Sequence, residues 1–214
     1  MKKDKKNIQL SNHQKILGAK YCFENAVALL EEANILANSS KWARATALYI
    51  LGIEEISKIE LVGQTFFYKT HKDWDKFEEK FRKHNQKLKL ADSLLIQTAY
   101  QSGDDNKVED ELKEILKGRN LNIGKQRCFY VGFDNDNLWK VPLKTVTEED
   151  ALYCRKLLET LVESYKTIFD KPHNEILDII KQMKKYIPSE ESKVNTEKMK
   201  LEIQQKTIKI KSKI

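Results

Sequence analysis

His84 is the side chain in this sequence best suited to proton transfer. Phe77, Phe81, Leu88, Ala91 and Leu95 share with it a helical stripe about 60° wide, on a helix predicted from Trp74 to about Gln101. A carboxylate beside such an imidazole sets its tautomer and raises its pKa for acid–base work. The candidate partner is Glu55, from the run Trp42 to Lys69, which is apolar almost all the way round. Within it Arg44, Leu48, Leu51, Glu55, Lys58 and Val62 fall in a band about 60° wide. A carboxylate there must line a water-filled cleft or join a paired network, because an unpaired buried ion is strongly disfavoured. The plainer alternative is a core histidine satisfied by one hydrogen bond.

Other charged and aromatic groups fall around this pair. Glu54 and Lys58 have the i, i+4 spacing of an exposed ion pair. Arg44 could bind a phosphate or neutralise Glu55 across a neighbouring helix. Lys80 and Lys87 flank His84, and Lys87 could also meet a phosphate. Phe66, Phe67, Phe77 and Phe81 read as core. Tyr130, Phe133 and Trp139 are more open and could anchor a partner. No P-loop, GxGxxG or metal-ligand spacing occurs, so neither a metal nor another cofactor is expected.

The elements that must position these groups are helical. Few glycines and prolines, with much Leu, Ile, Lys, Glu and Ala, predict an all-α, up-and-down bundle. A first helix is predicted from His13 to Ala37, and Asn38-Ser39-Ser40 should stop it and cap the second. A short charged helix is predicted over Lys107–Lys117. Residues 118–146 then read as a long loop or small hairpin, with CFYVGF extended and Asp134–Asn137 a turn. Thr147 and Asp150 resemble a capping box that opens a helix to about Phe169, and Pro172 suits the first residue of a last helix. The expected organisation is a basic arm over 1–12, one helical domain over 13–187 and a Lys-rich tail over 188–214.

The net charge is +7. Residues 1–6 contribute four Lys against one Asp, and residues 188–214 seven Lys against four Glu, so the body is nearly neutral. Any non-specific RNA binding would therefore come from the ends. Cys22, Cys128 and Cys154 are scattered and form no CxxC, as free thiols in a reducing compartment would. No apolar run approaches bilayer length and no signal peptide is evident, so a cytoplasmic protein without a membrane partner is expected.

The runs NAVALLEEANIL, WARATALYILGIEEISKIELV, FRKHNQKL and KQRCFYVGF, followed by a proline and a T-E-E-x-A helix, resemble the AbiV-type abortive infection family. That family is placed among HEPN-type helical domains, and the likeness covers about residues 13–170. It implies a bacterial antiphage protein, homodimeric, that senses a phage-encoded protein and shuts down the infected cell through translation. Many HEPN proteins are metal-independent RNases built on an Arg, four to six residues and a His. This chain departs from that pattern: Phe77, Glu78 and Glu79 stand at those positions before His84, and Gln64, Thr65 and Phe66 before His71. His13 and His173 have only Lys6 and Lys166, and lysine lacks the planar fork of arginine. Two readings stay open. One is an RNase using His84, Glu55 and Arg44 or Lys87; the other is a non-catalytic binder whose Glu55, Lys58 and His84 fix helix packing.

Overall fold

The computed structural model describes residues 10–68, 70–101, 103, 104, 106, 121–133, 138–185 and 205. The expected helix over Lys107–Lys117, the turn at Asp134–Asn137 and nearly all of the two basic ends lie outside the described residues.

Helix α1 (Asn12–Asn38) opens with a capping box in which Ser11 and Gln14 satisfy each other's backbone N–H groups. Its buried face is mostly small, with Ala19, Cys22, Ala26, Ala33 and Ala37, so α2 (Trp42–Gln64) packs closely against it. The reversal between them uses Ser40 in the left-handed region (φ 55°). There the Ser40 N–H bonds the Ala37 carbonyl and the Lys41 N–H bonds that of Leu36, a Schellman stop. The serines therefore end α1 as expected but do not cap α2, whose N-cap is Lys41, with no side-chain bond.

Helix α2 is the axis of the bundle. Ala45, Tyr49, Ile50, Ile53 and Ile56 are inaccessible or nearly so, and the Tyr49 hydroxyl donates to Asn34 Oδ1 at 2.8 Å. At Gly52 a Cβ would come within 2.5 Å of Leu158 Cδ2, so glycine permits a close approach there. A 3-10 turn at Thr65–Phe67 ends the long segment.

The third predicted helix is two. Helix α3 (His71–Arg82), boxed by Thr70 and Asp73, stops at Lys83, which is extended (φ −84°, ψ 115°). Helix α4 (His84–Gln101) then restarts in a new direction and buries Lys87, Leu88, Ala91 and Leu95. No glycine or proline marks this break. It allows Phe77 and Phe81 to pack on the core while α4 follows α2.

Residues 118–146 also differ from the expectation. Helix α5 (Leu121–Phe129) takes in the first two residues of CFYVGF, because Leu121, Lys125 and Cys128 share a helical face buried against the bundle. A two-residue antiparallel pair follows, β1 (Gly132–Phe133) and β2 (Trp139–Lys140), then a single turn, α6 (Pro142–Thr145). Helix α7 (Glu148–Phe169) starts with the predicted Thr147–Asp150 capping box and supplies Leu157, Leu158 and Leu161 to the core. Helix α8 (His173–Lys185) starts one residue after Pro172. The architecture is an all-α bundle carrying a small hairpin, and no helix among the described residues is long and apolar enough to cross a membrane.

Candidate functional site

Three helices meet at one carboxylate, and it is Glu54. Helix α2 places it only 2% exposed, between Ile50 and Ser57 on its own helix, where α4 and α5 close over it. Lys125 of α5 donates from Nζ to Oε1 at 2.5 Å. His84, at the first turn of α4, brings Nδ1 to 2.5 Å from Oε2, and Lys87 Nζ lies 3.4 Å from the same oxygen. Lys125 Nζ is also 3.1 Å from His84 Nδ1. Burial works against the carboxylate charge. The Lys125 and His84 hydrogen bonds, with the Lys125 and Lys87 charges, outweigh it and hold the Glu54 carboxyl below its usual range.

This geometry assigns the imidazole. With an ionised oxygen at Nδ1, the Nδ1–H donates and Nε2 is left as the acceptor in the neutral ring. Nε2 has no partner among the described residues, and the side chain is 57% exposed. Chemically, the arrangement is an oriented imidazole at the surface above a buried, fully satisfied ion cluster. Two nearby lysines add positive charge, though Lys87 and Lys125 are themselves buried.

The predicted partner of His84 is therefore corrected from Glu55 to Glu54. Glu55 is half-buried and pairs with Lys58 at 2.5 Å, whose Nζ also lies 5.3 Å over the Phe81 ring. The i, i+4 pair expected between Glu54 and Lys58 is not made, because Glu54 turns inward. Arg44 does not join the site. It is ten residues before Glu54, about 15 Å along α2, and its guanidinium lies 5.3 Å over Phe129. Lys80 is half-buried on α3 and makes no ion pair among the described residues. Tyr130, Phe133 and Trp139 lie at the hairpin, with exposures of 69%, 59% and 72%. Phe133 and Trp139 are cross-strand partners, ring centroids 5.2 Å apart.

Lys125 is the member that the sequence reading missed. Its one signal is the spacing Leu121, Lys125, Cys128, which places the lysine on the buried face of a short helix. Cys128 behaves as a buried structural thiol, pushed up to about 11 by desolvation and by the Asp150 carboxylate. Cys22 is likewise raised to about 11, by burial and then by Glu55.

No curated protein and no solved structure matches the chain. A family model does: the one described as AbiV, of HEPN type, over residues 16–163, which spans α1 through most of α7 and includes every member of the Glu54 cluster. The chain belongs to the AbiV family of HEPN-type helical proteins, a family of abortive infection and antiphage defence.

Proposed function

We propose that the protein is a bacterial abortive-infection factor that arrests growth or translation of the infected cell by binding a protein, as a homodimer triggered by a phage-encoded protein. The observation that carries this reading is the apolar surface at the hairpin. Tyr130, Val131, Phe133, Leu138, Trp139 and Leu143 are each more than half exposed. Phe133 and Trp139 meet edge to face across the two strands, both mostly in solvent. Folding gains little from large apolar groups left in water, whereas a protein interface built on aromatic anchors gains much. In this reading the Glu54 cluster is the brace that holds α4 and α5 on α2 and so fixes where the hairpin emerges.

One observation favours a second reading, a metal-independent RNase. His84 is oriented by Glu54 and presents to solvent an Nε2 with no partner among the described residues, as a general base would. Against it stands the lack, among the described residues, of an arginine at the cluster to meet a phosphorane.

One experiment separates the two. Phage plating and total RNA are compared for wild type, Phe133→Ser/Trp139→Ser and His84→Ala. The binding reading expects the hairpin variant to lose protection by about 100-fold, the effect of removing interface anchors, with RNA intact throughout. RNA fragments that appear with wild type in chelator and vanish with His84→Ala would replace it by the nuclease.

A further inference from the structure

A second concave site lies apart from the Glu54 cluster, where the C-terminal end of α2 and the 3-10 turn meet α1, α7 and α8. It is a half-open cavity of about 240 Å³ walled by Ile16, Ile59, Phe66 and Ile176, among others. Its wall is overwhelmingly apolar, yet Glu60 and Tyr165 also line it. Neither the Glu60 carboxylate nor the Tyr165 hydroxyl has a hydrogen-bond partner among the described residues. Burial, and then the Glu60 charge, keep the Tyr165 hydroxyl protonated, which indicates that carboxylate and phenol share this space. Lys15, next to the lining residue Ile16 in the chain, is already engaged. Its Nζ donates to the Thr65 carbonyl at 3.0 Å and lies over the Phe66 and Trp74 rings.

We propose that this cavity binds a small amphiphile with an apolar body and one protonated amine, the body between α2, α7 and α8 and the ammonium against Glu60. Size and charge both select that chemistry. A dry cavity of about 150 Å³ holds a six-carbon ring, so by proportion this one takes an apolar body of about ten heavy atoms. A carboxylate at its edge attracts a cation, repels an anion and adds little for a neutral alcohol. The Tyr165 hydroxyl can accept a further hydrogen bond from the amine. The site is independent of the hairpin and of His84, so it stands or falls without reference to either reading of the activity.

The full chain is titrated calorimetrically with octylamine, 1-octanol and octanoate. Octylamine is expected to bind about tenfold tighter than octanol, the worth of one charge-assisted contact at a half-exposed site, with octanoate weakest. Glu60→Gln should bring octylamine to the affinity of octanol. Gly63→Leu offers a control that fills the space: Gly63 lines the cavity and a Cβ there meets nothing within 4 Å. It should abolish binding of all three probes while the melting temperature is kept. No binding of octylamine, equal binding of octylamine and octanoate, or a Gly63→Leu protein that binds as wild type does would overturn the proposal.

Discussion

Glu54 and Glu55 are the same residue type, adjacent on one helix, and their surroundings are opposite. A step of about 100° around α2 carries the chain from a face covered by α4 and α5 to a face left partly open. Along the open face lie Arg44, Leu48, Leu51, Glu55 and Lys58, all exposed or half-buried, ending at the buried Val62. On the covered face Glu54 gathers Lys125, His84 and Lys87, whereas Glu55 meets one lysine from its own helix. The lesson concerns what a charge on an apolar helix is for. A carboxylate paired within its helix ties nothing together. One whose partners come from two other helices reports, and stabilises, how those helices dock.

The comparison breaks most sharply if the inward carboxylate is removed. Glu54→Ala leaves the buried Lys87 and Lys125 without their counter-ion, and should lower the unfolding free energy by about 3–5 kcal/mol in denaturant titrations at pH 7. A loss below the range of an ordinary surface pair would mean that the cluster does not brace α4 and α5.

A smaller, pH-dependent effect sharpens it. The folded Glu54 carboxyl titrates below its unfolded value. Its contribution is therefore complete above about pH 5, beyond the unfolded carboxyl pKa, and is lost as pH falls through the folded value. Wild type should accordingly lose stability on acidification more steeply than Glu54→Gln, measured as the midpoint of urea unfolding between pH 7 and pH 3. Parallel slopes would show that Glu54 keeps an ordinary pKa in the fold.

The smallest effect is expected on the open face. Glu55→Gln should cost about 0–1 kcal/mol, as partly solvated pairs within one helix do, read from the same denaturation curves. A cost equal to that of Glu54→Ala would erase the distinction between the faces.

The hairpin and the cluster differ in how far they could be read in advance. Tyr130, Phe133 and Trp139 stand out as candidate anchors because they fall among turn-forming residues, and the structure leaves them exposed. The cluster was half legible. His84 and Lys87 are members, and the need for a carboxylate on α2 follows from the apolar character of that helix. Which carboxylate, however, depended on a break at Lys83 that has no glycine or proline to announce it. It depended too on a lysine 71 positions away from Glu54 along the chain. Local spacing carries no information about such a partner.

Sequence periodicity and capping chemistry alone determined the helical class, the box at Thr147 and the central place of α2. These are set by interactions within a few residues, where side-chain type and a fixed helical period suffice. Only the tertiary structure decided that α2 turns Glu54 rather than Glu55 inward, that Lys125 completes the cluster and that Arg44 stands apart on Phe129. A helix buried nearly all round has several equivalent apolar faces, and the choice among them rests with the helices that pack against it.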